Sequence, residues 1–335
     1  MRIGAPSWSL DQWLEFYDVL RRRLDCVQTD TQARRLIADA SWQVIRRYST
    51  SFFIVTRFLP RVKRRDVEII YAAVRYPDEV VDTFPLDAQE KYRLINQWRQ
   101  QYCSALEQPT LLDSVRRGCN PFVAGFADLV RRYGIPAEYY HAFLDAMECD
   151  IQPRTFDTFE DLIEGYVYGS AIVVGYFLAY VYGVAPGHTM AEALEASRAL
   201  GIALQLTNFL RDVGEDHHRS RCYVPHELML GAGISYPEFI GTTNQQATAY
   251  VVRRYAQTAW KYYRRAEQML GVFSHDCIAA IDACIKVYSE LTAILEHSWD
   301  AERRASVPWR RKLAALPRSK YWVLPLALIT PEYGK

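Results

Sequence analysis

Apolar positions recur at steps of three and four residues along nearly the whole chain. Ala33, Leu36, Ile37, Ala40, Val44 and Ile45 form one stripe, and Leu194, Ala199, Ile202, Leu206 and Leu210 form another. That spacing lines one face of a helix, whereas the alternation of a half-buried strand is nearly absent. The pattern predicts helices near residues 31–48, 62–84, 88–106, 121–133, 137–150, 159–182, 189–214, 246–270 and 276–298. Punctuation agrees, with Pro60 and Pro136 where helices open and Gly183, Pro186 and Gly187 where the most apolar one closes. No linker is long or polar enough to divide the chain. One all-α domain over residues 1–335 is expected, with its core at about 31–313 and peripheral terminal segments.

Two positions conflict with this pattern locally. Pro77 lies inside a predicted helix and removes the N–H that would bond the Ala73 carbonyl, so the helix should bend or stop there. Gly214 lies near the end of another, and the polar run after Asp216 is poor helix. Acids there would sit at a helix C-terminus, where the macrodipole disfavours anions.

The longest apolar segment, Tyr166 to Val184, is interrupted by Gly169, Ser170, Gly175 and Gly183. It reads as a buried helix lining a cavity rather than a membrane span. The last apolar run, Tyr321 to Ile329, is short and cut by Pro325. Contact with a membrane, if any, is expected to be peripheral.

Composition narrows the classes. Half of the residues (50%) are hydrophobic, and 40 Lys and Arg against 39 Asp and Glu leave a formal charge of +1. No global field recruits nucleic acid, so an anionic ligand needs a local arrangement. The seven cysteines are scattered, with no CxxC pair and no His at zinc-ligand spacing, and read as reduced thiols of a cytoplasmic protein. Charged residues interrupt every apolar stretch of the N-terminus, so no secretory segment is expected.

The candidate chemistry lies in two aspartate pairs, Asp78 and Asp82 in RYPDEVVDTF and Asp212 and Asp216 in NFLRDVGEDHHR. Each pair is spaced to share one helix face. Two such helices facing each other would make a four-carboxylate cleft. Mg²⁺, which takes one or two carboxylates together with substrate phosphates, would relieve the repulsion and hold a diphosphate. Either pair alone suits a solvated helix face better than a site, but the surroundings reverse that preference. The first follows the apolar stripe Val67, Ile70, Tyr71 and Val74, and the second follows ALQLTNFL, which puts Gln205, Asn208 and Asp212 on one face. Polar groups on the inner face of an apolar helix need partners.

The stretches YSTSFFIVTRFLP, IIYAAVRYPDEVVDTF, YVYGSAIVVGYFLAYVYG and LGIALQLTNFLRDVGEDHHRSRCYVP carry a likeness. From about Ser41 to Leu313 the chain resembles the phytoene and squalene synthase family of head-to-head prenyl-coupling enzymes, closest in motif to bacterial-type phytoene synthases. Pro77 departs from the family pattern.

The resemblance implies a class I isoprenoid synthase helical bundle around a central cavity. It also implies a Mg²⁺-dependent prenyltransferase that condenses two prenyl diphosphates through a cyclopropylcarbinyl diphosphate. Two geranylgeranyl diphosphates giving phytoene is the first expectation. Two farnesyl diphosphates giving presqualene diphosphate, dehydrosqualene or squalene is the alternative. A terpene cyclase or a non-catalytic helical assembly factor on the same scaffold are the further ones.

By the same resemblance Asp78, Asp82, Asn208, Asp212 and Asp216 hold the metal. Ser49, Ser51, Phe52, Tyr71, Arg75, Gln205, Asn208, Arg211 and Tyr223 bind substrate. Tyr166 lies near the reacting carbons, and Arg75 is counted with the four aspartates and Tyr166 as catalytic. Arg75 and Arg211 suit phosphate oxygens through the planar guanidinium fork, or equally a salt bridge to the adjacent acids. Mn²⁺ is an alternative metal, and NADPH is expected only if the product is squalene. Gly169, Ser170, Ala171 and Gly175 leave either a narrow channel for a prenyl tail or a close helix contact. No histidine is assigned to catalysis.

Overall fold

The computed structural model describes residues 7–329. Among them there is no β-strand beyond an isolated bridge between Val184 and Phe273. The elements are α1 (Leu10–Leu24), α2 (Asp30–Tyr48), α3 (Thr50–Thr56), α4 (Arg61–Asp82), α5 (Ala88–Glu107), α6 (Leu111–Arg116), α7 (Pro121–Tyr133) and α8 (Glu138–Cys149). These are followed by α9 (Phe159–Tyr182), then α10 (Met190–His218), α11 (His226–Ala232), α12 (Tyr236–Ile240), α13 (Gln245–Gln268), α14 (His275–Ser298), α15 (Trp309–Ala315) and α16 (Lys320–Ile329). The nine helices expected from periodicity are present to within two residues at each end, except that the one expected to close at 214 runs on to His218 and takes in Asp216. The short ones are additional, because one or two turns carry too few apolar positions to show a period.

α1 is also additional, although its signal is present. Ser9 and Gln12 form a capping box, and Trp13, Tyr17, Leu20 and Leu24 are buried at helical steps. The N-terminal segment, expected to be peripheral, therefore contributes to the core.

The chain packs as two compact units, one of residues 7–151, 180–182 and 319–329, the other of residues 152–179 and 183–318. In the first, α2, α4 and α7 pack on one another. Gly125 of α7 permits this, because a Cβ there would lie 2.9 Å from Ile37 and 3.2 Å from Ile69. Ion pairs tie the same helices together, Arg34 to Asp128 at 2.8 Å and Arg132 to Asp66 at 3.1 Å.

In the second unit α10 packs against α9, α13 and α14. Thr207 of α10 meets the Tyr263 hydroxyl of α13 at 2.9 Å and Thr292 of α14 at 2.7 Å, so three buried hydroxyls satisfy one another. α9 is long and apolar enough to cross a membrane, yet half of its most apolar stretch is buried inside the protein. It is wound as a π-helix over Ile163–Ile172. Two of its small residues serve a close helix contact: a Cβ on Gly175 would stand 3.0 Å from the Ser197 carbonyl, and one on Gly201 of α10 would stand 3.1 Å from that of Ala171.

α4 runs unbroken through Pro77. The expected interruption is absent because the Ala73 carbonyl, which has no N–H to accept from at Pro77, accepts the Tyr140 hydroxyl at 2.7 Å. Tyr140 is fully buried, and its oxygen also accepts the Trp98 indole N–H at 2.8 Å.

Candidate active site

Each acid pair lies in the last turns of its helix, Asp78 and Asp82 in α4 and Asp212 and Asp216 in α10. A carboxylate at a helix C-terminus loses about 0.3–1 kcal/mol to the macrodipole. In both units arginines offset that cost.

In the first unit Arg75 is the hub. It pairs with Asp78, approaches Glu79 Oε1 at 3.3 Å and donates to the Tyr71 hydroxyl at 3.2 Å. Its guanidinium carbon lies 5.3 Å from the Tyr48 ring centroid and 5.6 Å from that of Tyr71. Glu79, which sequence reasoning passed over, is buried, and its Oε2 has no hydrogen-bond partner. Burial pushes its carboxyl up to about 7, with Arg75 pulling it down and Asp78 raising it. Ser49 caps α3 by accepting the Phe52 N–H at 3.3 Å, and the Phe52 ring packs 5.8 Å from that of Tyr71. Ser49, Phe52, Tyr71, Arg75 and Asp78 thus form one neighbourhood, with Ser51 half-buried on α3 and Asp82 one turn beyond Asp78.

In the second unit the hub is an acid. Asp212 Oδ1 accepts Arg211 Nε at 2.7 Å and Arg304 Nε at 2.8 Å, while Arg211 Nη2 pairs with Oδ2. Burial works against the Asp212 charge, but the two guanidiniums hold its carboxyl below the usual carboxylate range. Arg304 was not legible from the second motif, since it lies 92 residues beyond Asp212, outside the four motif stretches. Gly214 brings it in: a Cβ there would fall 2.0 Å from the Ala301 carbonyl, so only glycine lets this segment rest on α10. Trp299 fastens it by donating its indole N–H to the Leu210 carbonyl at 2.8 Å.

One turn before Asp212, the Asn208 Oδ1 is buried without a hydrogen-bond partner. Gln205, Asn208, Asp212 and Asp216 follow one another along α10 at three- and four-residue steps. Tyr223 is placed with aromatic partners: its hydroxyl donates to that of Tyr166 at 3.2 Å, and its ring stacks on Phe209 at 4.2 Å. The Phe209 part of this wall was not anticipated from the sequence.

The squalene/phytoene synthase profile matches residues 45–311. The chain belongs to the squalene/phytoene synthase family. This prenyltransferase is 31% identical to the 15-cis-phytoene synthase of Synechococcus elongatus over 82% of this chain and 89% of that one. It is 30% identical to the chloroplastic phytoene synthase of Daucus carota over 83% of this chain and 69% of that protein. Among solved structures, a dehydrosqualene synthase covers 89% of the chain with a TM-score of 0.69 at 24% identity, matched over 100% of its own length. The squalene synthase HpnC from Alicyclobacillus acidocaldarius covers 81%, matched over 99% of its length, with a TM-score of 0.68 at 18% identity. These two establish the all-α isoprenoid synthase fold. The family's activity, head-to-head coupling of prenyl units, is the frame for the residues above.

Proposed function

We propose that this synthase joins two geranylgeranyl diphosphates to give phytoene. The observation that carries the reading is the polar face of α10, where Asn208 presents a buried, unpartnered oxygen one turn before the twice-paired Asp212. An unsatisfied buried carbonyl oxygen costs about 1–3 kcal/mol, which a bound cation would recover.

The donor set fits Mg²⁺, with Mn²⁺ the alternative. Among the described residues no three His, Cys, Asp or Glu side chains form a ready metal cage. Mg²⁺ takes one or two carboxylates and completes its shell with water and phosphate oxygens. Asp78 and Asp82 would hold it in one unit, and Asn208, Asp212 and Asp216 in the other. When bound, the ion neutralises charge on the departing diphosphate.

The protein's own residues do the rest. Arg75 and Arg211 exchange carboxylate for phosphate oxygens and stabilise the negative charge that grows as the C–O bond breaks, by charge already in place. The double bond of the second substrate then attacks the allylic cation. Loss of a proton from the resulting cation closes the ring of a cyclopropylcarbinyl diphosphate, which sheds its own diphosphate, rearranges and loses a second proton to give phytoene. Tyr166, Phe209 and Tyr223 supply aromatic faces that steady positive charge and exclude water. That the Synechococcus and Daucus relatives are named phytoene synthases supports the geranylgeranyl reading over the farnesyl one. An apolar product also favours peripheral membrane contact.

The test is incubation of the purified protein with Mg²⁺ and either diphosphate, with and without NADPH, followed by product identification. Phytoene without reductant is the expected result. Squalene or dehydrosqualene, or a cyclised product of one substrate, overturns it.

A further inference from the structure

The family match begins at residue 45, so α1 lies outside it. Yet α1 reaches the first acidic motif through two aromatic side chains. The Tyr48 hydroxyl accepts two N–H groups, the backbone of Trp8 at 2.8 Å and the Trp13 indole at 3.0 Å. The Trp13 and Tyr48 rings are stacked, 5.8 Å between centroids and 21° between planes. Trp13 has no exposed surface, and its ring also meets that of Tyr76, the residue after Arg75 on α4, in a T-shaped contact at 5.6 Å. One indole therefore holds both the helix that carries Arg75 and the ring under the Arg75 guanidinium.

We propose that Trp13 and Tyr48 are positioning residues for Arg75, which makes the N-terminal helix a working part of the diphosphate site. The inference rests on the reading of Arg75 as a diphosphate contact. A guanidinium makes two parallel bonds to phosphate only when its plane is set. Three of the contacts that set it, Asp78, Glu79 and the Tyr71 hydroxyl, are made through the same N–H groups a phosphate would take. The Tyr48 ring face is not, so it goes on orienting Arg75 after the phosphate arrives. Tyr48 itself is fixed by N–H donors from Trp13 of α1 and from Trp8 just before that helix, both separate from the groups a phosphate would meet. It also leads directly into Ser49, the cap of α3.

The test uses the full chain and two readouts: calorimetric affinity for inorganic diphosphate with Mg²⁺, and kcat and KM for geranylgeranyl diphosphate. Tyr48→Leu, which removes the ring, should weaken diphosphate binding and raise KM about tenfold, with kcat changed much less. Trp13→Phe and Tyr48→Phe keep the rings and lose the donor or acceptor, and each should cost about threefold. In an Arg75→Ala background, Tyr48→Leu should have no further effect. A Tyr48→Leu protein with a lowered Tm but wild-type affinity and KM would reduce the role to packing. A further loss in the Arg75→Ala background would show that Tyr48 acts independently of Arg75. If the wild type binds diphosphate in this pattern but turns over no prenyl diphosphate, the functional reading fails and the positioning stands. A wild type that binds no diphosphate sinks both.

Discussion

Tyr140 donates its hydroxyl to the Ala73 carbonyl at 2.7 Å, in the place where Pro77 offers no N–H. A side chain from α8 thereby repairs the hydrogen-bond ladder of α4 one turn before Asp78. The first acid pair stays on a continuous helix despite its proline.

Tyr140→Phe should lower stability by about 1–3 kcal/mol, the cost of leaving a buried carbonyl without a partner. Pro77→Ala restores an N–H that can reach Ala73. The two changes should therefore couple, with Tyr140→Phe less damaging in the Pro77→Ala protein. Denaturant unfolding of the four proteins measures the coupling, and simple additivity would contradict it.

Gly214→Ala should displace the backbone that brings Arg304 to Asp212, because the added carbon would fall 2.0 Å from the Ala301 carbonyl. Overpacking of this kind costs about 1–3 kcal/mol. A drop in Tm together with at least about tenfold lower kcat/KM is expected. Arg304→Gln should reproduce the kinetic loss with little change in Tm, since Arg304 is about half exposed.

Asp82→Ala and Asp212→Asn should each lower turnover by about a hundredfold or more with the helical fold intact, as removal of a transition-state charge contact does. Mg²⁺ with inorganic diphosphate should raise the Tm of the wild type, because a ligand bound only by the native state stabilises it. Asp212→Asn should blunt that rise. A full rise in the variant would remove Asp212 from the metal site.

His141 gives a pH dependence remote from the acid pairs. Burial, then the Arg99 charge, pushes its imidazole below the ordinary value of 6.5, against opposing pulls from Asp145 and Glu138. The unfolded chain therefore binds this proton first. Stability that His141 contributes above pH 6.5 should be lost as the pH falls through that value and below it. His141→Asn should flatten the Tm profile over this window, and an unchanged slope would rule the histidine out as its source.

Much of this was legible in the sequence because it depends on neighbours three or four residues away. Helical periodicity gives every long helix except α1, and the acid pairs with Arg75, Arg211 and Asn208 are local patterns on α4 and α10. The partners that decide how those residues behave come from distant segments. Tyr140 rescues the helix through Pro77, Arg304 reaches Asp212 because Gly214 lets a loop touch α10, and Trp13 holds Tyr48 from outside the family's matched residues. The small residues of α9 looked equally suited to a channel or a helix contact, and packing decides for the contact at Gly175 and at Ala171, whose carbonyl faces Gly201 of α10. The sequence by itself determined the helices and the chemical character of each acid pair, since both follow from the period of one element. Only the tertiary structure decided which buried groups are satisfied and which, like Asn208 Oδ1, are left open, because hydrogen bonding across elements depends on distances that no spacing along the chain encodes.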